Sequence, residues 1–190
     1  MQKIFVRQNC LGIICLLCLA LQVGAQKVVI QGREGWRKLT WADYSGRVDA
    51  SSSFGAMTEY QFSYRVSGME KSGDSIYFKN IEVILNFDHQ KSWVKKDMMT
   101  DALLEHEQGH FNIGLMCVRE FLSIIKSTKF IKAQYSARLK QIFQVVSDKY
   151  QQMHTQYDAE TNHSINRTAQ EKWNTFFKEN IPEELGEYAD

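Results

Sequence analysis

The sequence predicts an α+β protein, in which an N-terminal antiparallel or mixed sheet packs on a helix and is followed by a C-terminal helical part. Two successive patterns of apolar residues predict this class. Apolar and polar residues alternate with the period of strands over residues 26–94, whereas apolar residues after Lys96 recur every three or four positions. Hydrophobic residues make up 44% of the chain and charged residues 24%, which is typical of a folded globular domain.

The two clearest strand candidates lie on either side of a turn signal. Residues 58–65 alternate aromatic with polar side chains, and apolar residues occupy every second position over residues 81–87. Lys-Ser-Gly-Asp at residues 71–74 is typical of a turn, so the two strands are expected to pair as a long hairpin or meander. Shorter strands are predicted at residues 27–31, 38–41 and 92–94.

Three helices are predicted in the second half of the chain. Asp97 or Thr100 can cap the first helix, which runs to about residue 125. The second covers about residues 131–156, where apolar residues keep the spacing of one buried stripe. A polar loop is expected at residues 157–164. The third helix ends near residue 180, ahead of the only proline, Pro182.

The first 25 residues contain the parts of an export signal. Lys3 and Arg7 precede an apolar run over residues 11–23, and the small residues Gly24 and Ala25 follow. Because a membrane-spanning helix needs about 20 apolar residues, a signal peptide cleaved after Ala25 is favoured over a membrane anchor. We therefore expect a secreted or periplasmic protein with no stable membrane span. The remaining chain is predicted to form one domain with a β-rich lobe, residues 26–95, and a helical lobe, residues 96–190.

Charge and cysteine content exclude several alternatives. The formal net charge is +1, so no overall field attracts the chain to nucleic acid or to an anionic membrane. Cys10, Cys15 and Cys18 lie in the predicted signal peptide, which leaves Cys117 as the one cysteine of the mature chain. An internal disulfide is thereby excluded, and Cys117 is expected to pack in the core of its helix. Core burial or a metal ion must stabilise the fold.

The segment with the clearest chemistry is H-E-x-x-H, formed by His106, Glu107 and His110. Residues four apart lie on the same face of a helix, so His106 and His110 can bind one Zn²⁺. Glu107 is rotated by about 100° from His106 and would lie beside the water that the metal activates, as its general base. Glycine in an exposed helix interior lowers helix stability by up to about 1 kcal/mol relative to alanine. Its presence at position 109 indicates that another group approaches the backbone there. The alternative is a helix whose two histidines form hydrogen bonds in the core.

A catalytic zinc has three protein ligands and one open position, so a third ligand must come from elsewhere in the fold. His163 is the first candidate, because it lies in the predicted polar loop and can turn inward without breaking a helix. Asp158 and Glu160, in the same segment, are chemically acceptable substitutes. A candidate that is not a ligand can instead fix the tautomer of a histidine. The two other histidines, His89 and His154, are expected to lie on the solvated surface.

Four segments of the chain carry a family resemblance: residues 39–44, 92–94, 104–111 and 157–163. Together they resemble a bacterial domain-of-unknown-function family that is described as predicted secreted zinc-dependent proteases. The resemblance spans nearly all of the mature chain and favours His163 as a metal ligand. Ser164 departs from the pattern, because a glycine is expected after that histidine.

The resemblance implies a zincin-like fold and a zinc metallopeptidase that acts on a peptide or protein substrate. A strand near residues 92–94 would form the edge of the cleft, where an extended peptide adds as a further strand. Tyr157, next to the ligand loop, is a candidate to stabilise the oxyanion, although a tyrosine packed at the end of its helix is an equal alternative. The rival functions are a zinc-stabilised binding module and an inactive former enzyme of the cell envelope. Glu107 argues against both, because a purely structural zinc site needs no such carboxylate.

Overall fold

A computed structural model describes residues 25–181, which form a mixed sheet, a small second sheet and three long helices. The predicted signal peptide lies outside the described residues except for Ala25, and so does Pro182. The strands are β1 (Ala25–Ile30), β2 (Arg33–Glu34), β3 (Ala56–Met57), β4 (Tyr60–Ser72), β5 (Ser75–Phe87), β6 (Trp93–Val94) and β7 (Phe130–Ile131). The helices are α1 (Asp101–Ser127), α2 (Tyr135–Thr161) and α3 (Arg167–Asn180). Over residues 25–181, no helix has the length and apolar character that a membrane crossing requires.

The centre of the mixed sheet is a long antiparallel hairpin. β4 and β5 pair from Tyr60 opposite Phe87 to Ser72 opposite Ser75, which confirms the predicted hairpin and extends both strands. The register of the pair shifts around Gly68. At this point the buried positions of β5 change from even to odd residue numbers. The side chains of β5 that enter the core are Ile76, Phe78, Ile81, Val83, Leu85 and Phe87.

Short strands complete the mixed sheet on the other edge of β5. β1 runs parallel to residues 82–87 of β5, and β7 pairs antiparallel with Ser75 and Ile76. The order of the strands is β2-β1-β5-β4. The structure therefore confirms both the α+β class and the predicted strand at residues 27–31.

The predicted strand at residues 92–94 is confirmed as β6, but the predicted strand at residues 38–41 is wrong. That segment leads into a 3₁₀ turn, Trp41–Asp43. Asp43 stabilises the turn, because its Oδ2 accepts hydrogen bonds from the backbone N–H and the hydroxyl of Thr40. Both oxygens of the Asp43 carboxylate also bind Arg37. These local bonds satisfy polar groups that a strand would have paired elsewhere.

The helices of the second half follow the predicted order. Thr100 caps α1 by accepting a hydrogen bond from Leu103 N, whereas Asp97 lies in a preceding 3₁₀ turn. α2 continues to Thr161, so the predicted loop over residues 157–164 is wrong in its first half. The buried stripe of α2 explains the extension, because Tyr150, Tyr157 and Thr161 keep helical spacing into the polar segment.

α1 is the element that joins the sheet to the other helices. Phe111 packs edge-on against Phe87 of β5, with ring centroids 5.8 Å apart. Cys117 is 2% exposed in the same core, as the sequence predicted. The face of α1 that carries His106 and His110 turns towards α2, and this contact positions the candidate site.

Candidate metal centre

Two histidines of α1 and one carboxylate of α2 meet at a single oxygen atom. His106 Nε2 lies 3.1 Å from Asp158 Oδ1, and His110 Nε2 lies 3.0 Å from the same atom. The ligand atoms of all three residues lie within 4.8 Å of one another, so this group could hold a metal ion. The i, i+4 spacing brings both rings to the same face of α1, as predicted from the motif.

Asp158 reaches the histidines from the last turn of α2 rather than from a loop. Desolvation by burial raises the pKa of the Asp158 carboxyl, but hydrogen bonds from His106 and His110 outweigh this and hold it far below its usual range. In His110, burial lowers the pKa, and the bond to Asp158 together with the charge of Glu107 reverses the direction and raises it. Asp158 is therefore a carboxylate, which is the form that binds metal ions.

His163 lies beside Asp158 on a left-handed turn that follows α2. Its Nδ1 is 3.3 Å from Asp158 Oδ1, its side chain is 46% exposed, and its ring packs on Phe54 with centroids 4.7 Å apart. Asn162, His163 and Ser164 all have positive φ angles, of 46°, 50° and 78°. Ser164, where the family pattern is expected to have glycine, thus occupies a conformation that glycine adopts most easily.

Replacing Ser164 with Gly is expected to stabilise the protein. The left-handed conformation costs a residue with a Cβ atom roughly 1 kcal/mol or more, and glycine does not pay it. We expect Tm to rise by about 2–4 °C in a thermal melt, as about 1 kcal/mol does in a chain of this size. Asn162→Gly is the matched control and should change Tm less, because asparagine tolerates this conformation. An unchanged or lower Tm for Ser164→Gly would contradict the prediction.

Two other residues of α2 that the sequence proposed for the site do not line the cleft. Glu160 accepts hydrogen bonds from Trp173 Nε1 and from Gln156 Nε2, each at 2.8 Å, and so faces α3. Tyr157 is fully buried, and its ring stacks on His106 with centroids 4.6 Å apart. Its hydroxyl donates to the His106 carbonyl at 3.1 Å. Tyr157 thus supports the helix behind His106, which is the packing alternative considered for it.

Gly109 allows this contact between α1 and α2. A Cβ atom at Gly109 would lie 2.5 Å from Cζ of Tyr157, and closer still to the hydroxyl oxygen. Real Cβ atoms essentially never approach another heavy atom so closely. The sequence expectation that a group approaches the backbone at Gly109 is confirmed, and the group is Tyr157.

Gly109→Ala is therefore expected to destabilise the protein, although alanine is the better helix former by about 1 kcal/mol. Displacing Tyr157 should cost about 2–3 kcal/mol in the free energy of unfolding, as overpacking of a dense core does. Urea denaturation measures this change. Gly68→Ala is the control, because a Cβ there meets its nearest atoms at an ordinary 3.4 Å. A Gly109→Ala protein as stable as wild type would contradict the packing described above.

Glu107 is buried at the wall of the cleft, where two hydroxyl groups orient it. Thr58 Oγ1 donates to Glu107 Oε2 at 2.6 Å, and Tyr44 Oη lies 2.7 Å from the same threonine oxygen. Because the single Thr58 proton goes to Glu107, Tyr44 is the donor of the second bond. Burial and the charge of Glu107 raise the pKa of Tyr44, which keeps its phenol protonated. No local sequence pattern indicates these hydrogen bonds, although Tyr44 closes the first segment of the family resemblance.

His154 belongs to the cluster, so the expectation that it lies on the solvated surface is wrong. Its Nδ1 is 2.9 Å from His110 Nδ1, and its Nε2 is 2.6 Å from the hydroxyl of Tyr60. Burial and the neighbouring His110 lower the pKa of His154 to about 3. The i, i+4 spacing of His154 and Asp158 could have indicated this shared face. His89, in contrast, forms a hydrogen bond with the Ser45 hydroxyl and does not line the cleft.

The cluster opens into a cleft of about 750 Å³. Glu107, Asp158 and His163 line it on one side, and residues 53–60 line it on the other. β3, rather than the predicted strand near residues 92–94, runs along this cleft, because β6 is buried on the far side of β3. The site thus combines a possible metal cluster, an oriented carboxylate and a strand at the wall of one open space.

No curated protein and no solved structure matches the chain. The model of a bacterial protein family of unknown function, DUF922, matches residues 30–164, which include every residue of the cluster. Because this match covers well over half of the sequence, the chain belongs to the DUF922 family.

Proposed function

We propose that this protein is a secreted zinc metallopeptidase of zincin-like architecture. The observation that carries the proposal is the meeting of His106 Nε2 and His110 Nε2 at one oxygen of Asp158, at 3.1 and 3.0 Å. Ligand atoms around a tetrahedral Zn²⁺ lie roughly 3.4 Å apart, given bonds of about 2.0–2.1 Å. Two imidazoles and one carboxylate are a typical donor set for a catalytic zinc, so the residues present fit the ion.

We assign His106, His110 and Asp158 as the ligands. Asp158 is preferred over His163, because it contacts both histidines and belongs to a regular helix. His163 can donate from Nδ1 to Asp158 and hold that carboxylate in place, which is the supporting role considered for a residue that is not a ligand. A bound zinc supplies a Lewis acid that activates water and polarises a carbonyl group.

Glu107 accepts the proton of the attacking water in this proposal. Thr58 occupies its Oε2, and within residues 25–181 no hydrogen bond reaches its Oε1. Glu107 lines the cleft next to His106 on the same helical turn, so Oε1 is the oxygen that we assign to the proton. After the attack, the same carboxyl group can pass the proton to the leaving amine.

β3 provides a binding edge for an extended substrate. Lys95 N donates to Gly55 O, so Gly55 faces β6, and in an antiparallel pair the neighbouring residue directs its backbone groups the other way. The N–H and C=O of Ala56 and Thr58 therefore lie on the edge of β3 away from β6. A peptide can add there as a further strand, held by main-chain hydrogen bonds.

A zinc-stabilised binding module remains the second candidate, and one observation favours it. His163 Nδ1 lies 3.3 Å from Asp158 Oδ1, beside the three proposed ligands, and a movement of its partly exposed side chain would let it join the ion as a fourth protein ligand. A site with four protein ligands has no open position and is structural. The oriented Glu107 supports the catalytic alternative.

Metal analysis and cleavage assays on the purified protein without residues 1–25 test the proposal. We expect about one zinc per chain and cleavage of a peptide library or casein. A chelator should abolish cleavage, and added Zn²⁺ should restore it. Bound zinc without cleavage of any substrate would favour the binding module, and absence of zinc binding would overturn both candidates.

A further inference from the structure

We propose that Tyr60 and His154 form a relay that sets the tautomer and ring orientation of His110, which makes His154 a positioning residue of the metal site. The inference rests on the proposed zinc binding and extends it beyond the ligands. The relay is the chain of hydrogen bonds from Tyr60 Oη through both ring nitrogens of His154 to His110 Nδ1.

The geometry engages every polar atom of the two imidazole rings. His110 has Asp158 at Nε2 and His154 at Nδ1, at 3.0 and 2.9 Å. His154 has His110 at Nδ1 and Tyr60 at Nε2, at 2.9 and 2.6 Å. The ring planes of His110 and His154 are inclined by only 24°, with centroids 5.1 Å apart, and this side-by-side arrangement suits a hydrogen bond between the two ring nitrogens.

The number of ring protons on His110 and His154 determines which group donates in each hydrogen bond of the relay when an ion is bound. Holding the ion through Nε2 would use the lone pair of that nitrogen, so the ring proton of neutral His110 would be on Nδ1. That proton needs an acceptor, and His154 Nδ1 is the atom in reach. With Nδ1 as an acceptor, neutral His154 carries its own proton on Nε2 and donates it to the Tyr60 oxygen.

Tyr60, at the end of the relay, is held in place by its strand and by packing against α1. It is the first residue of β4, paired with Phe87. Its ring lies against α1, where a Cβ atom at Gly114 would come within 2.8 Å of it, and it meets Phe111 edge-on. The relay therefore connects His110 to the mixed sheet, while Asp158 connects the same histidine to α2.

Zinc affinity, measured by competition with a chromogenic chelator, tests the relay without any activity assay. His154→Leu should weaken binding by about 10–100-fold, which is typical for loss of a group that supports a metal-ligating histidine. His154→Gln should stay within a few-fold of wild type, because an amide can accept from His110 and donate to Tyr60. His89→Leu is the control outside the cleft and should leave the affinity unchanged.

NMR of the ¹⁵N-labelled histidines in the zinc-loaded protein reads the tautomers directly. We expect the proton of His154 on Nε2 and that of His110 on Nδ1. The opposite tautomer of His154 would overturn the relay, as would wild-type affinity in His154→Leu or an equal loss in the Leu and Gln variants. Wild type that binds no zinc would overturn the metal site itself, whereas zinc-binding wild type without cleavage would overturn the peptidase and leave the relay standing.

Discussion

Glu107→Gln is expected to lower kcat/KM for peptide cleavage by about 10²–10⁴-fold, while the zinc content stays that of wild type. A general base typically contributes this factor, and an amide cannot take the proton of the attacking water. Glutamine can still accept the hydrogen bond from Thr58, so the wall of the cleft should keep its shape. Steady-state kinetics together with metal analysis of the same preparation measure both quantities.

Glu105→Gln is the matched control for this experiment. Glu105 lies on the same helix two residues earlier, and its carboxylate forms an ion pair with Arg167 on α3. A partly exposed pair of this kind contributes little to stability, so the Glu105→Gln protein should cleave peptides and bind zinc like wild type. Unchanged cleavage by the Glu107→Gln protein would show that Glu107 is not the base and would remove the main argument for a peptidase.

Asp158→Ala is expected to weaken zinc binding by more than about 100-fold, because it removes a ligand. Loss of a residue that only supports a ligand typically weakens binding by about 10–100-fold. His163→Ala should cost no more than that range, since we assign His163 to the support of Asp158. Isothermal titration or chelator competition measures both affinities. Glu160→Ala is the control on the same helix and should bind zinc normally, because its carboxylate is bonded to Trp173 and Gln156.

The pair of variants also separates the rival functions. Equal and large losses in Asp158→Ala and His163→Ala would indicate four protein ligands and a closed site, which favours the binding module. Loss in His163→Ala alone would restore His163 as the third ligand, as the resemblance implies, and would contradict our assignment of Asp158.

The sequence correctly indicated features that depend on neighbours along the chain. The β4–β5 hairpin followed from alternation around a Gly-Asp turn, and α1 followed from its apolar spacing and a cap at Asp97 or Thr100, of which the structure shows Thr100. The predicted strand at residues 38–41 is wrong because the side-chain hydrogen bonds of Asp43, which form the turn, leave no trace in hydrophobic periodicity. The predicted loop at the end of α2 is wrong because the exposed face of the helix is polar there, while Tyr157 and Thr161 are buried.

The sequence by itself determined that His106 and His110 share one face of a helix, with Glu107 beside them, because helical geometry fixes neighbours three and four positions apart. It also indicated the tight approach at Gly109. Only the tertiary structure decided what meets that face: Asp158 and His154 from α2, Tyr60 from β4, and the hydroxyls of Tyr44 and Thr58 at Glu107. These partners are far from α1 along the chain, and their positions depend on how the sheet and α2 pack against it, which no local pattern specifies.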